Sequence, residues 1–222
     1  MFLYMVKYSR PDLANAVREI SKVCDGATLG QYGELLRTIK YTLDTEFLVL
    51  NMNPSQEDKW ILDGLSDSDF AGDKDTRISV GGNILYLNGV PISWRSKSKK
   101  GVNMSSTDAE YVAVSELLKS IKFVVKLLGE LGINVELPIK IYMDNLGAIH
   151  LVNNRKTGNR TKHIDITHHF IREYIEDGVV EIVFVRSEEN DSDVFTKNPS
   201  REISKRHKSK FMMDDPQHVI AD

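Results

Sequence analysis

The stretch "LDGLSDSDFAGDKD", Leu62 to Asp75, sets the reading of the whole chain. It starts like a strand and runs into a turn, yet it carries five acids. Asp is a poor strand former, and like charges held close together repel. Three uses would explain them: a solvated turn, a calcium loop, or one corner of a divalent-metal site completed from elsewhere. A calcium loop starting at Asp67 puts Asp69 third and Gly72 sixth, as required, but Ala71 fifth and Ile78 twelfth, where oxygen ligands are needed. That use fails. Asp73 and Asp75, in "GDKDTR", suit a turn. Asp67 and Asp69 lie where the strand ends, and alternate strand residues share a face. Two carboxylates there cost stability unless a cation neutralises them.

Outward from this stretch, residues 57–200 alternate strands and helices. "WILDGLSDSDF" reads as a first strand, and "SVGGNILYLNGVPISWRS" as two more turning at Asn88-Gly89, a strong hairpin signal. "STDAEYVAVSELLKSIKFVVKLLGELG" predicts a long amphipathic helix ending at Gly132. "PIKIYMDN" and "VVEIVFVRS" read as strands, "LGAIHLVNN" and "HIDITHHFIREYIEDG" as helices, and "ENDSDVFTKN" as a last helical turn or two. The sum is an α/β fold with a mixed sheet flanked by helices. Residues 1–52 read as a small helical appendage: Leu13, Val17 and Ile20 share one helix face behind Pro11, and Tyr32, Leu35, Leu36, Ile39 and Leu43 another. "FLVLNM" reads as a short strand and "NPSQED" as a connector. Residues 201–222 swing from basic to acidic and read as a tail that is disordered or weakly docked.

Of the 222 residues, 41% are hydrophobic and 27% charged, an ordinary balance for a soluble globular protein. One cysteine, Cys24, excludes an internal disulfide framework and a cysteine-rich zinc site, and fits a reducing compartment. The start lacks the pattern of a signal peptide, and no segment is long enough to span a bilayer. An intracellular protein, not secreted and not in a membrane, is expected. The net charge of −3 argues against a protein that coats nucleic acid, and permits one that grips it through local basic loops.

Further acids stand at informative places. In "MSSTDAEYVAVSELL", Glu110 can close a capping box with Thr107. The apolar stripe Val114, Leu117, Leu118, Ile121, Val125, Leu128 also extrapolates back to position 110, which aims the same side chain at the sheet. Both readings stand at this level. Asp144 falls at the C-terminal end of a buried strand, where open α/β sheets place ligands; its structural alternative, capping the next helix, Asn145 fills equally well. "YMDN" lacks the second acid and returning strand of a polymerase palm. Asp191 and Asp193 stand next to the last strand, where the N-terminal dipole of a short helix also favours acids.

These stretches, taken in order, resemble the ribonuclease H domain of Copia-type retrotransposon Pol polyproteins. The resemblance rests on "SDSDFAGDKDTRISVGG", "ISWRSKSKKGVNMSSTDAEYVAVSE", "IYMDNLGAIHLVNN", "RTKHIDITHHFIREYIEDG" and "VFVRSEENDSDVFTKNP". "SRPDLANAV" and "LLRTIKYTL" look like the closing helices of the reverse transcriptase that precedes this domain in such polyproteins. The ending "FTKNPS" departs from the family's "LTKPL". The resemblance implies a ribonuclease H-like fold and a nuclease that hydrolyses the RNA strand of RNA–DNA hybrids. It places the catalytic, metal-binding carboxylates on Asp67, Glu110, Asp144 and Asp193, with Asp69 the rival of Asp67. Asp67 and Asp144 would be shared ligands, Glu110 would serve the leaving-group side and Asp193 the attacking-water side. The implied cofactor is a pair of Mg²⁺ ions, with Mn²⁺ as a substitute, which suits four hard oxygen donors. Partners would be the hybrid and the reverse transcriptase of the same polyprotein; polymerase fingers and palm are absent, so no copying activity is expected.

Reading RNA requires contacts to 2′-hydroxyls across a wide minor groove. Asn103, Ser105, Ser106 and Asn145 are candidate readers. Candidate backbone contacts are Arg95, Lys97, Lys99 and Lys100 in one loop and Arg155, Lys156, Arg160 and Lys162 in another, although basic runs are commonly just solvated. His163, His168 and His169 are candidates for proton transfer or product release. Two other functions compete with this one: an inactive relic or nucleic-acid-binding module, and a DNA-cleaving enzyme of the same fold.

Overall fold

Asn88 and Gly89, with φ of 48° and 77°, turn the chain between β3 (Val80–Leu87) and β4 (Val90–Ser98). A two-residue hairpin loop that matches strand twist needs left-handed backbone at both positions, which is what an Asn-Gly pair supplies. β2 (Leu62–Asp69) pairs antiparallel with β3 and parallel with β5 (Ile139–Met143), and β5 pairs parallel with β6 (Val180–Phe184). The order β4-β3-β2-β5-β6 makes a mixed sheet flanked by helices. The computed structural model describes residues 1–72, 76–99, 105–153 and 162–219.

One face of the sheet is covered by α4 (Ser106–Glu130), α5 (Leu146–Asn153) and α6 (Lys162–Glu176). The α4 stripe Val114, Leu117, Leu118 and Ile121 is buried against Leu62, Leu85, Ile139 and Ile141. Gly64 permits the close approach: a Cβ there would stand 3.0 Å from a Leu117 methyl.

The other face carries Leu65, Ile84 and Tyr86, and both ends of the chain cover it. From the N-terminal side come α1 (Phe2–Tyr8) and α2 (Ala14–Ser21), with Pro11 in the 3-10 turn before α2, where its missing N–H costs nothing. Ala14 joins the core, and Trp94 Nε1 donates to the Val6 carbonyl at 2.6 Å. The helix α3 (Leu29–Asp44) departs from expectation: its stripe Tyr32, Leu36, Ile39 and Leu43 is exposed, Leu35 is half-buried, and Thr38 alone is buried.

The C-terminal stretch also departs from expectation. Instead of a disordered or weakly docked tail from residue 201, α8 (Arg201–Phe211) leads into β7 (Met212–Asp214), which pairs antiparallel with β1 (Leu48–Leu50). His207, Phe211 and Met212 are buried. Burying a side chain such as Phe211 is worth about 1.5–3 kcal/mol, enough to dock a helix whose remaining surface is charged.

Candidate active site

The sheet register brings two of the acids together. Leu65 pairs with Tyr142 in the parallel β2–β5 ladder. Two residues further along each strand come Asp67 and Asp144, so both carboxylates emerge side by side at the C-terminal edge, where such sheets place ligands. The Ser187 hydroxyl donates to Asp144 Oδ2 and orients it.

Glu110 arrives from the second turn of α4, and its two readings separate cleanly. Ser105, not Thr107, caps the helix, its hydroxyl accepting from the Asp108 N–H at 3.1 Å. Glu110 closes no capping box. Its Oε1 accepts from the Ser68 N–H at 3.1 Å, and its Oε2 is buried without a hydrogen-bond partner. Carboxylate oxygens of Asp67, Glu110 and Asp144 all lie within 4.8 Å of one another.

Asp193 opens α7 (Asp193–Thr196), a single turn laid over β2 and β3. Gly82 makes this possible. It stands directly opposite Asp67 in the β2–β3 ladder, and a Cβ there would lie 2.7 Å from Thr196 Cγ2, 2.8 Å from Phe195 Cβ and 3.0 Å from the Ser192 carbonyl. With no side chain at 82, the Thr196 hydroxyl reaches down to donate to Asp67 Oδ2. Lys197 follows: its Nζ stands 3.1 Å from Asp67 Oδ1 and 3.1 Å from Asp193 Oδ1. Asp193 is thus joined to Asp67 through an ammonium and lies outside the three-acid group. Asn190, fully buried, ties this segment to the sheet by donating to the Ser66 carbonyl at 3.1 Å.

The remaining acids have other surroundings. Asp191 faces away from the cluster, held by His207 Nδ1 at 2.9 Å and Lys210 Nζ at 2.7 Å. Asp69 is half-buried and its carboxylate folds over Gly72. Asp63 lines a cavity of about 430 Å³ with Tyr86, Tyr142, Asp191, Arg206 and Lys210, and burial pushes its carboxyl up to about 6. Asp73 and Asp75 lie outside the described residues.

The candidate nucleic-acid contacts divide. Lys97 and Ser106 are exposed on the surface. Arg95 is spent on Glu116 at 2.6 Å. Ser105 is occupied as a helix cap, and Asn145 caps α5 by accepting from the Ala148 N–H at 3.0 Å. Lys99 turns inward to the Ala109 carbonyl and the Ser68 hydroxyl. Burial draws its amine down to about 8, against the raising pull of Glu110 and Asp67. Lys100, Asn103, Arg155, Lys156 and Arg160, and the side chains of Lys162, His163 and His168, lie outside what the structure describes; His169 is exposed.

The electrostatics ask for a cation. Burial, then Asp67 and Asp144, pushes the Glu110 carboxyl well above its usual range. Burial and Asp67 likewise raise Asp193, against the opposing pull of Lys197. Lys197 is itself raised, burial notwithstanding, because Asp67 and Asp193 flank it. Buried like charges are tolerated when paired or coordinated. The orphaned Glu110 Oε2 is an acceptor in search of a positive partner, and hard oxygen donors from three elements suit a divalent ion. Lys197, Thr196, Ser187 and Gly82 were not expected at the site; "FTKN" and the glycine pair opposite "SDSD" are the sequence signals that could have revealed them.

Over 88–94% of its length the chain is similar, at 34–37% identity, to retrovirus-related Pol polyproteins of transposons. Particular relatives are the Pol polyprotein from transposon RE1 of Arabidopsis thaliana, 37% identical over 213 residues, covering 94% of this chain and 14% of the relative. That from transposon TNT 1-94 of Nicotiana tabacum is 34% identical over 195 residues, covering 88% and 14%. The chain therefore spans about one seventh of the length of these relatives. No family model matches it. Among solved structures, LC11-RNase H1 in complex with RNA/DNA hybrid aligns with 61% of this chain and 93% of its own, at 13% identity and a TM-score of 0.47. No helix among the described residues is long and apolar enough to cross a membrane.

Proposed function

We propose that this chain is the ribonuclease H part of a transposon Pol polyprotein, a Mg²⁺-dependent endonuclease that cuts the RNA strand of RNA–DNA hybrids. The observation that carries this reading is the convergence of Asp67, Glu110 and Asp144 within 4.8 Å, with a buried, unpartnered oxygen on Glu110. Asp67, Glu110, Asp144 and Asp193 would hold two Mg²⁺ ions, and Mn²⁺ in their place. When bound, such a pair lowers the pKa of an attacking water and neutralises charge at the scissile phosphate and the departing oxygen.

The chain's own residues supply positioning. Ser187 fixes the Asp144 carboxylate, Thr196 fixes Asp67, and the Ser68 N–H fixes Glu110. Preset oxygens need no reorganisation when charge develops. Exposed Lys97 would contact the phosphate backbone, and exposed Ser106, beside the Glu110 turn, would read a 2′-hydroxyl. The reverse transcriptase portion of the same polyprotein would be its partner, and helical residues 1–52 would be the end of that portion.

The test is a hybrid labelled on its RNA strand, incubated with the chain and Mg²⁺. The expected result is shortened RNA with the DNA strand intact. Cleavage of duplex DNA would replace this reading with a DNA-cutting enzyme. Binding without cleavage, in Mg²⁺ and Mn²⁺ alike, would replace it with a binding module.

A further inference from the structure

We infer that Lys197 is a built-in competitor for the metal, its ammonium holding Asp67 and Asp193 together and yielding when a divalent ion claims their oxygens. The inference rests on the proposed metal-dependent reading and adds a regulator to it. Lys197 Nζ stands 3.1 Å from Asp67 Oδ1 and 3.1 Å from Asp193 Oδ1. Asp67 is buried and Asp193 nearly so, whereas the Lys197 side chain keeps 38% of its exposure. The cation therefore has an open route away from the pair, and the carboxylates have none.

This is no wandering surface lysine. Buried Asn15, on α2, donates from Nδ2 to the Lys197 carbonyl at 2.9 Å and to Asn198 Oδ1 at 2.8 Å, and Arg18 donates to the Phe195 carbonyl at 3.3 Å. The backbone at 197 is pinned while the four-carbon stem can swing. Lysine suits the task, being a compact point charge on a flexible stem. Nζ lies against one oxygen of each acid, and a divalent ion drawing on both acids would crowd and repel the ammonium held there. Lys99, a second cation near the cluster, is engaged elsewhere, donating to the Ser68 hydroxyl and the Ala109 carbonyl.

The test uses Mn²⁺ alone, titrated calorimetrically into the full chain without nucleic acid. Lys197→Met is expected to bind Mn²⁺ about three- to tenfold more tightly, the scale of a partly exposed charge pair. It should also melt lower in EDTA and gain more from added Mn²⁺ than the unaltered chain does. Lys197→Arg, which keeps the charge, should bind no more tightly than the unaltered chain. Unchanged or weaker affinity in Lys197→Met overturns the inference while leaving the metal site standing. Absence of Mn²⁺ binding in both chains overturns the inference and the metal-dependent reading together. A second measurement needs no variant: acylation of Lys197 in the unaltered chain, followed by peptide mass spectrometry, should rise when Mg²⁺ is added. Reactivity that does not change counts against the competition.

Discussion

Asp144→Asn is expected to leave the chain folded and abolish hybrid cleavage, by about a thousandfold or more. Asn keeps the shape and an oxygen that can accept from Ser187, so the local geometry survives. It removes one negative charge from a cluster whose oxygens lie within 4.8 Å, which eases repulsion in the folded chain. Catalysis should suffer because positioned divalent ions supply several kcal/mol at the transition state, and each 1.36 kcal/mol is a factor of ten. Cleavage of labelled hybrid under single-turnover conditions, with a melting curve alongside, reads both effects. A variant that melts like the unaltered chain and still cuts at a comparable rate would remove Asp144 from the chemistry.

The second large effect is structural. Gly82→Ala should destabilise the chain by about 1–3 kcal/mol, the range for forcing an atom into a filled space, and should reduce cleavage by displacing α7. The new Cβ meets Phe195 Cβ at 2.8 Å and the Ser192 carbonyl at 3.0 Å, neither of which is the loose end of a flexible side chain. Relief requires α7 to lift, and with it go Asp193, the Thr196 hydroxyl on Asp67 and Lys197. Gly81→Ala is the control: its Cβ meets Lys99 Cε at 3.0 Å, an atom that can give way. Urea unfolding of both variants should separate them; equal costs would mean that the approach of α7 does not depend on Gly82.

The sheet and its helices were legible because their signals are local and periodic. The Asn88-Gly89 turn, the alternation through Ile139, Ile141 and Met143, and the α4 stripe each report a backbone geometry directly. Glu110 was ambiguous for a physical reason: Ser105, Ser106 and Thr107 offer three hydroxyls for one cap. Once Ser105 takes it, Glu110 is released to face the sheet. Local sequence did not separate Asp191 from Asp193, and only the resemblance singled out Asp193; two residues apart at the start of a short helix, they meet different neighbours, His207 and Lys210 for one and Lys197 for the other. The C-terminal helix was hidden because Ile203, His207 and Phe211 repeat every fourth residue inside a run of charge. Lys197 was invisible for a deeper reason. Its place depends on β2, α2 and α7 meeting, and no stretch of sequence contains that meeting.

The central claim is that carboxylates from β2, α4, the end of β5 and α7 serve one pair of divalent ions. Anomalous diffraction from crystals of the chain soaked in Mn²⁺ tests it most directly. Two manganese peaks bounded by the Asp67, Glu110, Asp144 and Asp193 oxygens are the predicted result. Manganese found only on other surface acids, with these four oxygens bare, would contradict it.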